Sequence, residues 1–266
     1  MKALIVVLFL IISVPAYSDP FPEPDYDLVK KLIAAKYAGV KPEKFSQWLP
    51  GIKKKIQTKE KIIALTLDAC GGRKGNGYDK KLIDFLIKEK IPATLFMTGL
   101  WIDANTRTAL AIARNQLFDI ENHGLRHKPC SVRGYRIYGR RGTLSVADAF
   151  DEIEKNARKI KKFTGRRPIF YRPGTAYFDD VAVKVSYSTG HIPMNFSIVS
   201  GDAVKTFPWQ RICRRIVRGV KPGSIIIAHM NQPDGRFYRA FKAAVPKLRK
   251  MGYLFVRLRD YRENLK

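Results

Sequence analysis

From residue 61 to the C-terminus the chain alternates between two kinds of segment, and this alternation constrains its fold more than any other feature. Short stretches rich in β-branched or aromatic residues stand at 61–67, 92–98, 117–121, 168–172, 192–198, 224–229 and 253–258. Helical patterns separate them, at 79–90, 104–116, 145–163, 179–188, 208–217 and 236–250. In the first of these Leu82, Ile83, Leu86 and Ile87 share a face. The stretch 145–163 opens on Ser145 as a cap, with acids behind it, and closes on Lys159, Lys161 and Lys162, the polarity that the helix dipole favours. Seven strands alternating with helices imply right-handed crossovers and a parallel sheet. The runs 62–67 and 224–228 are almost wholly apolar, as a sheet covered on both faces requires. An open doubly wound sheet would want a phosphate-binding glycine loop after the first strand. The stretch found there, Gly71-Gly72-Arg73-Lys74-Gly75-Asn76-Gly77, fits neither G-x-G-x-x-G nor G-x4-G-K-[ST] and reads as a connection of glycine turns. A closed or nearly closed α/β barrel is expected.

The N-terminus reads as processing sequence. Lys2, an apolar run and Ala16-Tyr17-Ser18 form a signal-peptide pattern over residues 1–18, and the run is too short to span a membrane. No later stretch is long and uncharged enough to do so, and a secreted or periplasmic location follows. Residues 19–60 form an extension with a Pro-rich lead and an outer helix at 26–37, and residues 61–266 form the barrel. The net charge of +27 falls to +26 when Lys2 leaves with the leader. Such a charge draws the protein to anionic polymers. Export makes cell-wall polymer, acidic polysaccharide or an anionic membrane surface the expected partners, with no specific nucleic acid. A solvated basic surface without a partner accounts for the charge equally simply. Cys70, Cys130 and Cys213 permit either a Cys70–Cys130 bridge beside the site or three buried thiols.

A barrel of this kind places its chemistry where strands end. Strand one ends in Asp68, and strand three runs into Glu121-Asn122-His123-Gly124-Leu125-Arg126-His127. Strand four ends in Arg172, strand five leads into Ser200-Gly201-Asp202, and strand six ends in His229. Three of the four histidines therefore lie on one rim. His123 and His127 are four residues apart, so one helical turn would turn both imidazoles to a shared metal. Asp179-Asp180 opens a helical pattern and reads as a cap, and His191 as structural. The stretch 129–143 carries Arg133, Tyr135, Arg136, Tyr138, Arg140 and Arg141, and is either a substrate-binding loop or a mobile basic one.

In this order the motifs resemble those of the polysaccharide deacetylase family, carbohydrate esterase family four. Its T-F-D-D-G stands here as Thr66-Leu67-Asp68-Ala69-Cys70-Gly71, and its H-[ST]-x-x-H as His123-Gly124-Leu125-Arg126-His127. The later motifs correspond to Arg172-Pro173-Gly174-Thr175, Gly201-Asp202 and Ile227-Ala228-His229. The resemblance implies a seven-stranded distorted (β/α) barrel and metal-dependent removal of acetyl groups from a glycan such as peptidoglycan or an exopolysaccharide. It makes Asp68 the general base toward water, oriented by Arg172. His123 and His127 become ligands of a divalent metal, zinc by implication. His229 becomes the general acid, held in its tautomer by Asp202. The chain departs from the family at Ala69, where the second acid, normally the third ligand, is missing. Cys70, Asp68, Asp202, Glu121 and an extra water are the candidates to replace it. The same departure motivates a second reading, a glycan-binding domain that has lost catalysis.

Overall fold

The computed structural model describes residues 25–266; the expected leader, 1–18, lies outside them. Helix α1 (Tyr26–Lys36) precedes the sheet. Then follow β1 (Ile62–Ala69), α2 (Lys80–Lys88), β2 (Ala93–Met97), α3 (Gly99–Ala104), α4 (Thr106–Ala113) and β3 (Phe118–Asn122). The second half contains α5 (Val146–Thr164), β4 (Phe170–Tyr171), α6 (Asp180–Ser188), β5 (Ile192–Pro193), β6 (Ile198–Val199), α7 (Trp209–Gly219), β7 (Ser224–His229), α8 (Arg236–Lys250) and β8 (Leu254–Val256). Seven strands form one parallel, curled sheet in the order β6-β7-β1-β2-β3-β4-β5, a half-barrel of the distorted (β/α) kind.

The composition of that seven differs from the expected one in two places. The segment 192–198, expected as a single strand, divides into β5 and β6 at opposite ends of the sheet. Its partners change along its length: the Met194 amide bonds the Tyr171 carbonyl, the Asn195 amide Lys53, and the Ser197 amide Ile225. One crossing segment thus spans the opening that the curled sheet leaves. Residues of the N-terminal extension assist, because Lys53 bonds Pro193 while Ile56 bonds Gly223. The stretch 253–258 contributes only β8, which pairs Ile62 to Ala64 of β1 below the point where β2 begins to pair at Thr66. The helix expected at 104–116 is displaced toward the N-terminus and interrupted at Asn105, whose side chain bonds the carbonyls of Asn76 and Trp101.

Every residue of β1 is buried, and its alternation sorts two cores. Ile63, Leu65, Leu67 and Ala69 pack against the helices, with Leu82, Leu86, Phe241 and Leu248 in the same cluster. Ile62 and Ala64 face the interior, with Phe96, Phe170, Ile225 and Ile227. Thr66 continues this interior row, its hydroxyl meeting the Arg172 guanidinium, and Asp68 ends it at the mouth. Ser145 caps α5 by accepting from the Asp148 amide, and Asp179 caps α6 by accepting from Ala182. His191 is buried, with Nδ1 3.0 Å from the Thr189 hydroxyl. The Cys70–Cys130 bridge is absent. All three cysteines are free thiols, and Cys130 is enclosed in a separate core cluster with Tyr171 and Phe178.

Candidate metal and hydrolytic site

Asp68 and His229 are register partners on adjacent strands β1 and β7, so both end at the same mouth. Asp68 is held by Arg172, whose Nη1 lies 2.7 Å from Oδ1. The guanidinium is fully buried, and four of its five N–H donors are used: besides Asp68 it donates to the Thr66 hydroxyl and to the carbonyls of Met194 and Asn195. The rings of Phe96 and Phe196 flank it, with centroids 4.1 and 5.6 Å away. Burial alone would raise the Asp68 pKa, but Arg172, then His123 and His229, outweigh burial and hold it below the ordinary carboxylate range.

His123 follows β3 directly. Its Nδ1 donates to the Arg172 carbonyl at 2.7 Å, which fixes the tautomer and leaves Nε2 facing the interior. Nε2 stands 3.6 Å from Asp68 Oδ2 and 3.9 Å from Cys70 Sγ. The expected helical turn from His123 to His127 does not form. Gly124 and His127 both adopt positive φ, 83° and 59°, and the chain turns sharply instead. The imidazoles still meet edge to face, with centroids 4.9 Å apart.

What shapes this turn is Glu152, a buried acid on α5 that the sequence reading passed over. Its Oε1 accepts from the Arg126 and Lys128 amides at 2.7 and 3.2 Å, and Oε2 from Arg126 Nε at 3.1 Å. Gly124 holds a left-handed φ of 83°, and a Cβ there would also lie 2.7 Å from Glu152 Oε1, so the turn favours glycine where the resemblance leads one to expect Ser or Thr. Gly174 is constrained in the same way: a Cβ there would lie 2.2 Å from the His127 carbonyl oxygen. An acid at the edge of the apolar face formed by Ala149, Ile153 and Ile160 was the available signal for Glu152.

Cys70, His123 and His127 each offer a ligand atom, all within 4.8 Å of one another. His127 Nδ1 is buried with no hydrogen-bond partner, as an atom reserved for a metal would be. One thiolate and two imidazoles suit zinc in charge, donor type and number. Residues 69 and 70 lie on different sides of the strand end. Ala69 points into the helix-side core, whereas Cys70 returns to the face of Asp68. Burial raises the Cys70 thiol, yet His127, His123 and His229 outweigh it and bring the pKa well below that of a free thiol. Glu121 and Asp202, two other candidates for the third position, are engaged elsewhere. Glu121 accepts from the amides of Ile169 and Phe170 and pairs with Arg259. Asp202 accepts from the His229 amide at 2.8 Å and contacts its Nδ1 at 3.1 Å, while the Ser200 hydroxyl donates to Asp202 Oδ1 at 2.7 Å. Burial lowers the His229 pKa, but Asp202 more than reverses this and lifts it well above the usual imidazole range.

Cys70, His127 and His229 line a pocket of about 370 Å³, together with the turn Gly71–Gly75, Arg126, Arg140 and Asn231. The stretch 129–143 is folded: Arg136–Ile137 pairs with Arg140–Arg141 as a small hairpin, which brings Arg140 to the rim.

A sequence model described as polysaccharide deacetylase matches residues 55–193, just over half of the chain. The peptidoglycan-N-acetylmuramic acid deacetylase PdaA of Bacillus subtilis is 25% identical over 211 residues, covering 76% of this chain and 72% of that protein. Three curated relatives are matched over 66%, 72% and 51% of their own lengths. Among solved structures, a family 4 carbohydrate esterase pseudoenzyme from Bacillus anthracis superposes with TM-score 0.67 at 22% identity, covering 80% of this chain and 69% of that one. A family 4 acetyl xylan esterase from Clostridium thermocellum, in complex with a cobalt ion, gives TM-score 0.61 at 21% identity, covering 76% and 90%. At these identities the structural likeness establishes the fold.

Proposed function

We propose, from the premise that this chain belongs to the polysaccharide deacetylase family, that it is a metal-dependent hydrolase removing acetyl groups from an N-acetylated, acidic polysaccharide such as peptidoglycan. The observation that carries the proposal is the convergence of the Cys70, His123 and His127 donors with the Asp68–Arg172 and His229–Asp202 pairs at one mouth.

An amide is a poor electrophile with a poor leaving group. Cys70, His123 and His127 would hold a divalent metal, which would supply the first remedy by polarising the acetyl carbonyl and making water more acidic. Asp68 accepts the proton of the attacking water. Arg172 fixes its carboxylate in a single orientation. His229, on the neighbouring strand, supplies the second remedy by giving a proton from Nε2 to the departing amine. Asp202 keeps the proton on Nδ1 and stabilises the imidazolium.

The rim favours a negatively charged chain. Arg73 and Lys74 line the pocket mouth with Arg140, and no carboxylate among the described residues pairs with any of the three. PdaA, by its name, acts on the N-acetylmuramic acid of peptidoglycan, a sugar acid. An extracytoplasmic location belongs to the same proposal and rests on the leader pattern at 1–18. The second reading, a silent glycan-binding domain, is favoured by Ala69 and by the pseudoenzyme of the same fold. Acetate release from peptidoglycan and from N-acetylated chito-oligosaccharides separates the two. Release that is lost with a chelator, restored by zinc and absent in His123→Ala supports the hydrolase. Metal-loaded protein that binds peptidoglycan yet frees no acetate from either glycan supports the binding domain.

A further inference from the structure

A larger concavity lies away from the mouth, between α7 and the edge strand β6, with a volume of about 720 Å³. Arg211, Arg214, Arg215 and Arg218 line it, spaced so that one face of α7 carries all four. The opposite face buries Ile212, Cys213 and Ile216. At 1.5 Å per residue the row of guanidinium groups covers about 10 Å. No carboxylate among the described residues pairs with any of the four. Two of them are positioned in advance. Arg211 lies over the Phe207 ring, 3.8 Å from its centroid, and Arg215 lies 5.9 Å from the same ring while donating to the Val199 carbonyl. Phe207 is fixed in turn, since Arg236 donates to the carbonyls of Val204, Lys205 and Phe207.

Four like charges facing one concavity repel one another unless an anion joins them, and planar guanidinium groups are suited to carboxylates. We propose that this groove is a second binding site, separate from the pocket at the mouth, which holds a carboxylate-bearing polysaccharide chain. A bilayer fits less well, because α7 turns its apolar side chains inward rather than outward. Single-stranded nucleic acid fits less well, because no aromatic side chain among the described residues lines the groove as a platform for a base. The loop carrying Asp202 borders the groove, since a Cβ on Gly201 would lie 2.9 Å from Phe207 and 3.5 Å from Arg215. A polymer held there is anchored beside the mouth without entering it.

The test is binding of polygalacturonate to the full chain at low salt, a measurement that involves no catalytic step and stands whether or not the mouth is hydrolytic. Arg214→Gln/Arg218→Gln, which leaves the arginines over Phe207 in place, is expected to weaken binding by about tenfold. Removing two positive charges elsewhere, by Lys81→Gln/Arg107→Gln on exposed positions of α2 and α4, is expected to change it less than about twofold. Equal losses in both variants, reducing the effect to net charge, would overturn the site, as would wild-type binding by the groove variant. Groove-dependent binding of anionic phospholipid vesicles or single-stranded DNA in preference to polygalacturonate would overturn the choice of occupant.

Discussion

The Cys70 thiol lies 3.9 Å from His123 Nε2, while Ala69, at the position of the family's second acid, packs into the helix-side core. If Cys70 is the third ligand, cobalt-loaded protein will show a near-ultraviolet thiolate-to-metal band. Cys70→Ser will remove that band and weaken metal binding by at least about tenfold, because losing a direct ligand costs no less than losing a supporting hydrogen bond. Cys70→Asp will retain metal through an oxygen donor and still lack the band. A band that persists in Cys70→Ser would exclude the thiolate, whatever the effect on activity.

Arg172 combines positioning with a large share of the stability of the mouth. Arg172→Met strands the Asp68 carboxylate in the interior and leaves two backbone carbonyls without donors. A loss of about 3–5 kcal/mol is expected, read from urea denaturation midpoints. Arg172→Lys should recover only part of it, since one ammonium group cannot reproduce the fork that joins Asp68, Met194 and Asn195.

The parts of the fold that could be read from sequence are those whose cause is local. β1 and β7 are buried on both faces, and their almost wholly apolar runs reveal it. The caps Ser145 and Asp179 could be read because a side chain bonding three residues ahead is a short-range event. The division of 192–198 could not, because that segment exchanges Tyr171 for Ile225 as its partner, and no periodicity records which edge a strand meets. At the site, the alternation Asp68–Ala69–Cys70 indicated that residues 68 and 70 share a face. The turn at Gly124 was hidden because it depends on Glu152, distant in sequence, to collect the amides of Arg126 and Lys128.

Gly174 offers a purely steric test of how the second histidine is held. Gly174→Ala drives a methyl group into the backbone of His127. Zinc affinity is expected to fall by about tenfold or more, by analogy with other losses of support around a ligand. A double variant with His127→Ala should add no further loss from the glycine, because the group it displaces is already gone.

Asp202→Asn replaces an anion by an amide beside His229 with almost no change in volume. The amide oxygen can still accept from the His229 backbone, so the melting temperature should move by only a few degrees. Acetate release should nevertheless fall by about a hundredfold or more, the scale of a lost general acid, with little change in KM. An equal fall in zinc content would instead identify Asp202 as a metal-site residue.

His191 makes stability depend on pH for a reason unconnected with catalysis. Burial, with Arg167 nearby, moves its pKa down to about 3. Its Nδ1–H bonds the Thr189 hydroxyl, while Nε2 is buried without a partner. In the unfolded chain the same imidazole takes a proton near pH 6.5. Between those values the unfolded state binds the additional proton, so the contribution is complete above about pH 6.5 and declines as the pH falls toward 3. The decline is about 1.4 kcal/mol per pH unit, or about 2 kcal/mol between pH 6.5 and pH 5. His191→Asn keeps a donor toward Thr189 but cannot be protonated. Urea unfolding of both proteins at the two pH values should therefore show the wild type losing about 2 kcal/mol more than the variant. Identical losses would mean that the buried imidazole accepts its proton without opening the fold.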